Sequence, residues 1–199
     1  MRISGRNFGV EKQKITFPEG FTNKQIASRL GKELHNFDSE LFLSLAKDKE
    51  GYLFPDTYHF MPWTTPESVF GTLTKTFDQK ISPLQKQIDF SKHSLKEIII
   101  MASLIEKEAS GEKDRNIVSG ILWKRIEKGI PLQVDAPFLY ILGKESSELT
   151  KSDLSINSPF NTYKYKGLTP SPIGNRGLDS IKAAINPEDS PYLYYLLDA

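Results

Sequence analysis

The stretch LKEIIIMASLIEKEA, residues 95–109, predicts the strongest helix of the chain. Ser94, directly before it, is a residue type that caps the first turn of helices. Met101, Leu104 and Ile105 recur at helical spacing and therefore share one face. We expect this face to lie in the core of the protein.

Glu108 projects from the apolar face of this helix, because it follows Met101, Leu104 and Ile105 by seven, four and three residues. Glu106 points nearly the opposite way. Partial burial and the negative end of the helix dipole both favour a protonated Glu108, so its pKa should be raised. Such a carboxyl group is suited to general acid catalysis. The helical pattern alone equally allows Glu108 to reach solvent.

Outward from this helix, hydrophobic periodicity predicts a fold of the α+β class. Leu41, Phe42 and Leu45 are expected to be buried by a short helix, and the prolines after Gly129 leave room only for short strands and ordered loops. The other expected elements are a strand at 14–17, a helix capped by Thr22 and ending at Gly31, the short helix capped by Asp38 or Ser39, an extended segment at 51–61, helices at 66–77, 114–128 and 178–185, and a buried strand at 192–197.

The composition is that of a soluble globular protein, with 38% hydrophobic and 26% charged residues among 199. No apolar stretch approaches the ~20 residues that span a bilayer, and no signal-peptide pattern is present. Basic and acidic residues are spread evenly and give a net charge of +1, so no nucleic-acid partner is expected. The absence of cysteine excludes disulfides, zinc–thiolate sites and thiol nucleophiles.

Other catalytic patterns are missing from the sequence. The histidines His35, His59 and His93 are scattered, so we expect no metal site, and no cofactor-binding glycine motif is present. There is no G-x-S-x-G elbow for a serine hydrolase. The run GNRG at 174–177 could bind an anion before the last helix, but a turn that lets backbones approach closely is the favoured interpretation.

The proline-rich half carries aromatic and amide side chains suited to holding a sugar. Flat rings stack on sugar faces, and amides bond hydroxyl and acetamido groups, although any single ring is more often a core residue. The residues concerned are Tyr140, Asn157, Phe160, Asn161, Thr162, Tyr163 and Tyr165.

A series of sequence blocks resembles the endolytic murein transglycosylase (MltG, or YceG-like) family, whose membrane-anchored enzymes cut peptidoglycan strands internally. In order along the chain, the blocks are ITFPEGFT at 15–22 with QIA at 25–27, EGYLFPDTY at 50–58, MASLIEKE at 101–108, LQVD at 132–135, SPFNTY at 158–163, GLTPSPI at 167–173 and YLY at 192–194.

The resemblance implies a partial LysM-like subdomain with a connecting helix over 1–50, beside a C-terminally truncated catalytic domain of helices and short strands over 51–199. It implies that Glu108 is the catalytic acid/base, a residue that the helical pattern also indicates. Gln133, Asp135, Asn161, Thr162 and Tyr163 are expected to line the glycan cleft. The implied partner is the peptidoglycan strand, at the outer face of the cytoplasmic membrane, near the enzymes of wall synthesis.

The implied reaction cleaves the β-1,4 bond between N-acetylmuramic acid and N-acetylglucosamine without water, leaves a 1,6-anhydro end and limits the length of nascent strands. Two alternatives remain open. A lysozyme-like hydrolase would need a second carboxylate, for which Asp135 is the obvious residue. A non-catalytic peptidoglycan-binding module would bind strands without cutting them.

Overall fold

The computed structural model describes residues 10–109, 111–144 and 146–196. Within them the chain is mainly helical, with one small antiparallel sheet, in agreement with the α+β class. None of the helices described is long and apolar enough to cross a membrane. The elements are β1 Gln13–Thr16, α1 Asn23–Glu33, α2 Ser39–Leu45, β2 Thr57–Phe60, α3 Pro66–Ile81, α4 Gln85–Phe90, α5 Leu95–Glu108, α6 Glu112–Glu127, α7 Ala136–Leu142 and α8 Leu178–Ile185, with short 3-10 turns at Ser82–Leu84, Ser146–Glu148 and Asp153–Ser155.

The N-terminal part folds in the order β1-α1-α2-β2, and the sheet pairs Ile15 with Tyr58. Thr22 caps α1 as predicted, and Gln25 completes a capping box by bonding back to the Thr22 backbone. The strands and helices of this part share a hydrophobic cluster with α3. Its most deeply buried members include Phe17, Ile26, Leu30, Phe42, Leu53, Val69 and Leu73.

Two details of the first helices differ from the sequence prediction. Helix α1 does not end at Gly31 but continues to Glu33. A Cβ at Gly31 would lie 2.7 Å from Ser39 Oγ, so this glycine allows α1 and α2 to approach rather than ending the helix. Asp38 is the cap of α2, and Phe42 is buried as predicted, but Leu41 is exposed.

The second hydrophobic cluster surrounds α5, which packs against α6 and α8. The apolar face predicted for α5 is fully buried, and the bounds predicted for α8 are confirmed. Trp123 on α6 donates to the carbonyl of Ala184 on α8 at 3.1 Å. A Cβ at Gly120 would clash with the carbonyl of Glu188, so glycine is required where the chain crosses α6.

The proline-rich half was only partly predicted. Helix α7 forms where the prolines predicted only short strands and loops, because Pro137 lies in the first helical turn, where proline is tolerated. The prediction of a buried strand at 192–197 is wrong for residues 192–196, which the structure describes. No strand forms there, and the side chains of Tyr192 and Tyr194 are 67% and 68% exposed. Residue 197 lies outside the described residues.

Asn175 joins the two clusters. Its backbone accepts from Gly20 N–H at 2.7 Å, and its side-chain oxygen accepts from Leu53 N–H at 2.8 Å. The side-chain amide donates to Phe21 O at 3.0 Å and to Asn23 Oδ1 at 2.9 Å. A Cβ at residue 174 would lie 2.8 Å from a backbone oxygen of residue 20, which confirms the prediction of a close-approach turn at 174–177.

Candidate active site

Glu108 is the last residue of α5 and is partly buried. Because the face before it packs in the core, its carboxylate is held at the edge of the hydrophobic cluster rather than released into water. The hydroxyl of Tyr195 donates to Glu108 Oε2 at 2.9 Å. The alternative that the apolar stripe simply ends in solvent is therefore wrong.

Burial raises the pKa of the Glu108 carboxyl, and the negative charge of Asp135 raises it further. Hydrogen bonds from the Tyr195 hydroxyl and the backbone N–H of Ala136 stabilise the ionised form and lower the pKa. Burial is the largest of these effects, and the net shift of the pKa is upward, as the helical pattern predicted.

Asp135 precedes α7 and lies close enough to Glu108 for the two charges to interact. The hydroxyl of Tyr163 donates to Asp135 Oδ1 at 2.6 Å. Burial raises the pKa of Tyr163 above its ordinary value, and this bond raises it further, so Tyr163 stays a hydrogen-bond donor at neutral pH. The structure thus brings Glu108, Asp135 and Tyr163 together at one site.

Gln133 is exposed beside this site in a strained backbone conformation, with a φ of 50°. Its backbone N–H donates to the carbonyl of Thr162 at 2.9 Å. Its side-chain oxygen accepts from Nη2 of the buried Arg125 at 2.6 Å. These two contacts hold the Gln133 amide in a fixed position at the surface of the site.

Asn161 and Thr162 lie under the site rather than on its surface, with 0% and 2% of their area exposed. Thr162 Oγ1 donates to the carbonyl of Val134 at 2.6 Å and accepts its N–H at 3.2 Å. The Asn161 side chain bonds four backbone groups, those of Leu154, Ile156, Tyr163 and Lys164. Both side chains fix the loop that carries the neighbouring site residues.

Sequence reasoning missed Arg125 and Tyr195. Arg125 follows the buried Ile121 and Leu122 by four and three residues on α6. The argument that identified Glu108, a charge on an apolar face, would have found it too. Its guanidinium also lies over the ring of Tyr194, 4.9 Å from the ring centre. No pattern indicated Tyr195, because its segment was interpreted as a strand.

The aromatic residues suggested for glycan binding divide into two groups. Tyr140 and Phe160 pack against the α5 cluster and each other, with ring centres 5.4 Å apart. Tyr163 contacts the core residue Phe138 edge-on at 5.9 Å, and Tyr165 is 41% exposed and bonds Asn157. Within the part of the chain that the structure describes, no three histidine or acidic side chains form a group that could hold a metal ion.

Comparison with known proteins identifies the family of this chain. It belongs to the YceG-like family, whose model matches residues 3–199. It is 34% identical over 210 residues to an endolytic murein transglycosylase of Bacillus subtilis strain 168, where the alignment covers 92% of this chain and 58% of that protein. A protein of the same name from Streptococcus pneumoniae serotype 2 is 31% identical over 221 residues, covering 92% and 40%.

A solved structure shares the fold. The crystal structure of a YceG-like protein from Listeria monocytogenes superposes with a TM-score of 0.81 at 33% identity, covering 93% of this chain and 69% of that one. The chain spans 58% of the length of the Bacillus subtilis protein and 40% of the length of the Streptococcus pneumoniae protein.

Replacing Tyr195 with phenylalanine should raise the pKa of Glu108 further, because the hydroxyl stabilises the ionised carboxylate. If Glu108 is the catalytic acid, its protonated form is the competent one, and the falling limb of the rate profile should move to higher pH. A pH–rate profile and an NMR titration of the Glu108 carboxyl test this. A limb that stays in place or moves to lower pH would contradict the role of Tyr195. Tyr192→Phe, in the same segment, is the matched control.

Proposed function

We propose that this chain is the catalytic part of an endolytic peptidoglycan lytic transglycosylase, with Glu108 as its single acid/base. One observation carries the proposal. A glutamate on the core face of α5 is held in a wall of polar groups, with its pKa raised by burial. The family and the names of its relatives support murein as the substrate.

The reaction needs one carboxyl group that gives and retakes a proton. Protonated Glu108 donates to the glycosidic oxygen, the bond from muramyl C1 to that oxygen breaks, and the N-acetylglucosamine hydroxyl leaves. Ionised Glu108 then takes the proton of the muramyl O6 hydroxyl as O6 bonds to C1. The products are a 1,6-anhydro end and a free 4-hydroxyl, Glu108 is again protonated, and no water is consumed.

The other site residues act on this substrate in different ways. Asp135, fixed by Tyr163, places negative charge near the C1 atom that becomes electron-poor in the transition state. The exposed Gln133 amide, held by Arg125, binds sugar hydroxyl or acetamido groups. Asn161 and Thr162, buried and bonded within the protein, position the loop rather than contact the glycan. This revises the direct binding role that the sequence predicted for these two residues.

The chain would also retain the organisation of its family: a LysM-like subdomain over 1–50 and a catalytic domain over 51–199. The order β1-α1-α2-β2 supports a LysM-like unit, although its sheet pairs strands from both sides of residue 50. We place its action in the cell envelope, within a longer protein anchored at the outer face of the cytoplasmic membrane. Its neighbours there would be the enzymes of wall synthesis, and it would limit the length of nascent strands.

Digestion of purified, uncrosslinked peptidoglycan strands tests the proposal. We expect products of intermediate length, which show internal cleavage, with new ends one water lighter than reducing ends. Binding of strands without any change in their length would contradict catalysis and favour a binding module.

A lysozyme-like hydrolase is the second candidate, because Asp135 lies within electrostatic reach of Glu108. Asp135→Asn discriminates the two reactions. If Glu108 acts alone, the variant should still form 1,6-anhydro ends, at a rate reduced about tenfold by the loss of the stabilising charge. Mass spectrometry of the ends measures this. Reducing ends from the unmutated protein, lost in the Asn variant, would establish the hydrolase instead.

A further inference from the structure

A groove of about 430 Å³ lies between the start of α1 and α7. One wall comes from the N-terminal part and the other from the half that carries Glu108. Its lining includes three basic side chains and three apolar ones, those of Lys24, Lys107, Arg176, Ala136, Leu139 and Ile173.

The groove is basic. Lys24 and Lys107 are exposed, and within the described ranges neither forms an ion pair. Among the residues that the structure describes, none of the lining side chains is acidic. Glu50 interacts electrostatically with Lys24, but burial raises the pKa of Glu50 to about 7. At neutral pH Glu50 therefore offsets only part of the positive charge.

Arg176 lies in the wall of the groove with 3% of its area exposed. Among the described residues, its Nε and Nη1 atoms are buried without a hydrogen-bond partner. Nη1 faces Gly20, where a Cβ would lie 2.6 Å away. The carboxylates of Glu19, Glu50 and Glu106 act on the guanidinium only through space. A buried donor of this kind is costly unless a ligand satisfies it.

Ala136, Leu139 and Ile173 give the lining an apolar part, beside the polar side chains of Thr22 and Gln25 and the ring of Tyr140. A ligand that combines small apolar groups with an anionic one matches both the apolar and the basic parts of this lining. A short peptide rich in alanine that ends in a carboxylate has this chemistry.

The groove adjoins the candidate active site. Ala136 lines the groove, and its backbone N–H bonds the Glu108 carboxylate. Lys107, on the groove side, directly precedes Glu108. In peptidoglycan the peptide stem leaves the muramyl residue itself, the sugar whose C1 bond would be cut. A stem on that sugar therefore emerges within reach of the groove.

We propose that this groove binds the peptide stem of the muramyl residue being cleaved, with a stem carboxylate against Lys24, Lys107 and Arg176 and alanyl methyl groups against the apolar wall. The inference rests on the proposed function and extends it from the glycan to its peptide. The protein then selects stem-bearing strands over modified or bare ones.

Cleavage of two strand preparations tests the groove: one with free stem carboxylates and one with those carboxylates converted to amides. The unmutated protein should cut the free-carboxylate strands with a kcat/KM about tenfold higher. Lys24→Glu should remove this preference by lowering kcat/KM on the carboxylate strands alone. Lys32→Glu, an exposed lysine on the same helix outside the groove, should keep the preference.

Two results would overturn the inference while leaving the proposed function intact. The unmutated protein would cut both preparations equally, or Lys24→Glu would slow both to the same extent. If neither preparation is cut, the proposed function fails. An NMR titration with the free stem pentapeptide then tests whether the groove binds the stem. Shifts of the Lys24 and Ala136 amides support it, and unchanged amides reject it.

Discussion

Glu108→Gln is expected to abolish strand cleavage, with a loss of at least ~100-fold in kcat. Glutamine keeps the shape of the side chain and can still accept a hydrogen bond from Tyr195. It cannot donate a proton to the glycosidic oxygen and retake one from the O6 hydroxyl. The rate of release of new strand ends measures the effect, and glycan binding should persist.

The matched control is Glu106→Gln, two residues earlier on the same helix. Glu106 points away from the site, accepting from Ser180 at 2.7 Å and pairing with Arg115 at 3.3 Å. Its replacement should lower stability and keep turnover. A Glu108→Gln variant with near-normal turnover, beside an inactive Glu106→Gln, would show that the acid/base assignment is wrong.

Stability and pH provide a second check on the same variant. The folded-state pKa of Glu108 is raised, so ionisation opposes folding. This cost in folding free energy is absent when the pH is below the pKa of Glu108 in the unfolded chain. It grows as the pH rises from that value to the higher pKa of Glu108 in the folded protein, and it is complete above the higher pKa. Glu108→Gln should therefore be as stable as the unmutated protein or slightly more stable at neutral pH. A clearly destabilised variant would indicate a structural carboxylate instead.

Asn175→Ala should destabilise the protein by about 2–4 kcal/mol, because it removes three side-chain hydrogen bonds at once, two to backbone groups and one to a side chain. The Asn175 side chain is fully buried and bonds Leu53 N–H, Phe21 O and Asn23 Oδ1. Alanine leaves Leu53 N–H and Asn23 Oδ1 without these buried bonds, whereas Phe21 O keeps the bond from the backbone N–H of residue 175 at 2.8 Å. The free energy of unfolding in urea measures the loss.

Asn186→Ala is the control for Asn175, because its side chain is exposed and bonds Gln87 and the Lys182 carbonyl at the surface. Its cost should stay within about 0.5 kcal/mol. Equal effects of the two substitutions would mean that Asn175 does not hold the N-terminal part onto the rest of the chain.

The sequence predicted the features that depend on local pattern. The apolar faces of α3 and α5 follow helical periodicity, and the caps Thr22, Asp38 and Ser94 follow from short polar side chains at helix starts. Glu108 was identified by the same reasoning, because one charge on a buried face is visible from spacing alone. These features need no knowledge of which distant segments meet.

The features that escaped prediction depend on contacts between distant segments. Tyr195 reaches Glu108 across 87 residues, and no spacing in the sequence indicates that pair. The sequence predicted that Asn161 and Thr162 line the cleft, but both are buried, and their burial depends on how the loop folds back onto Val134. The sequence shows which residue types suit a cleft. Tertiary packing decides which of them are exposed in the cleft and which are buried and hold the loop in place.

Digestion of strands in water enriched in heavy oxygen tests the central claim most directly. In a transglycosylase the muramyl O6 attacks C1, so the new ends should be 1,6-anhydro sugars that carry no solvent oxygen and weigh one water less than reducing ends. In a hydrolase, water attacks C1. New reducing ends carrying heavy oxygen would contradict the mechanism, whereas unlabelled anhydro ends, lost in Glu108→Gln, are the result that we expect.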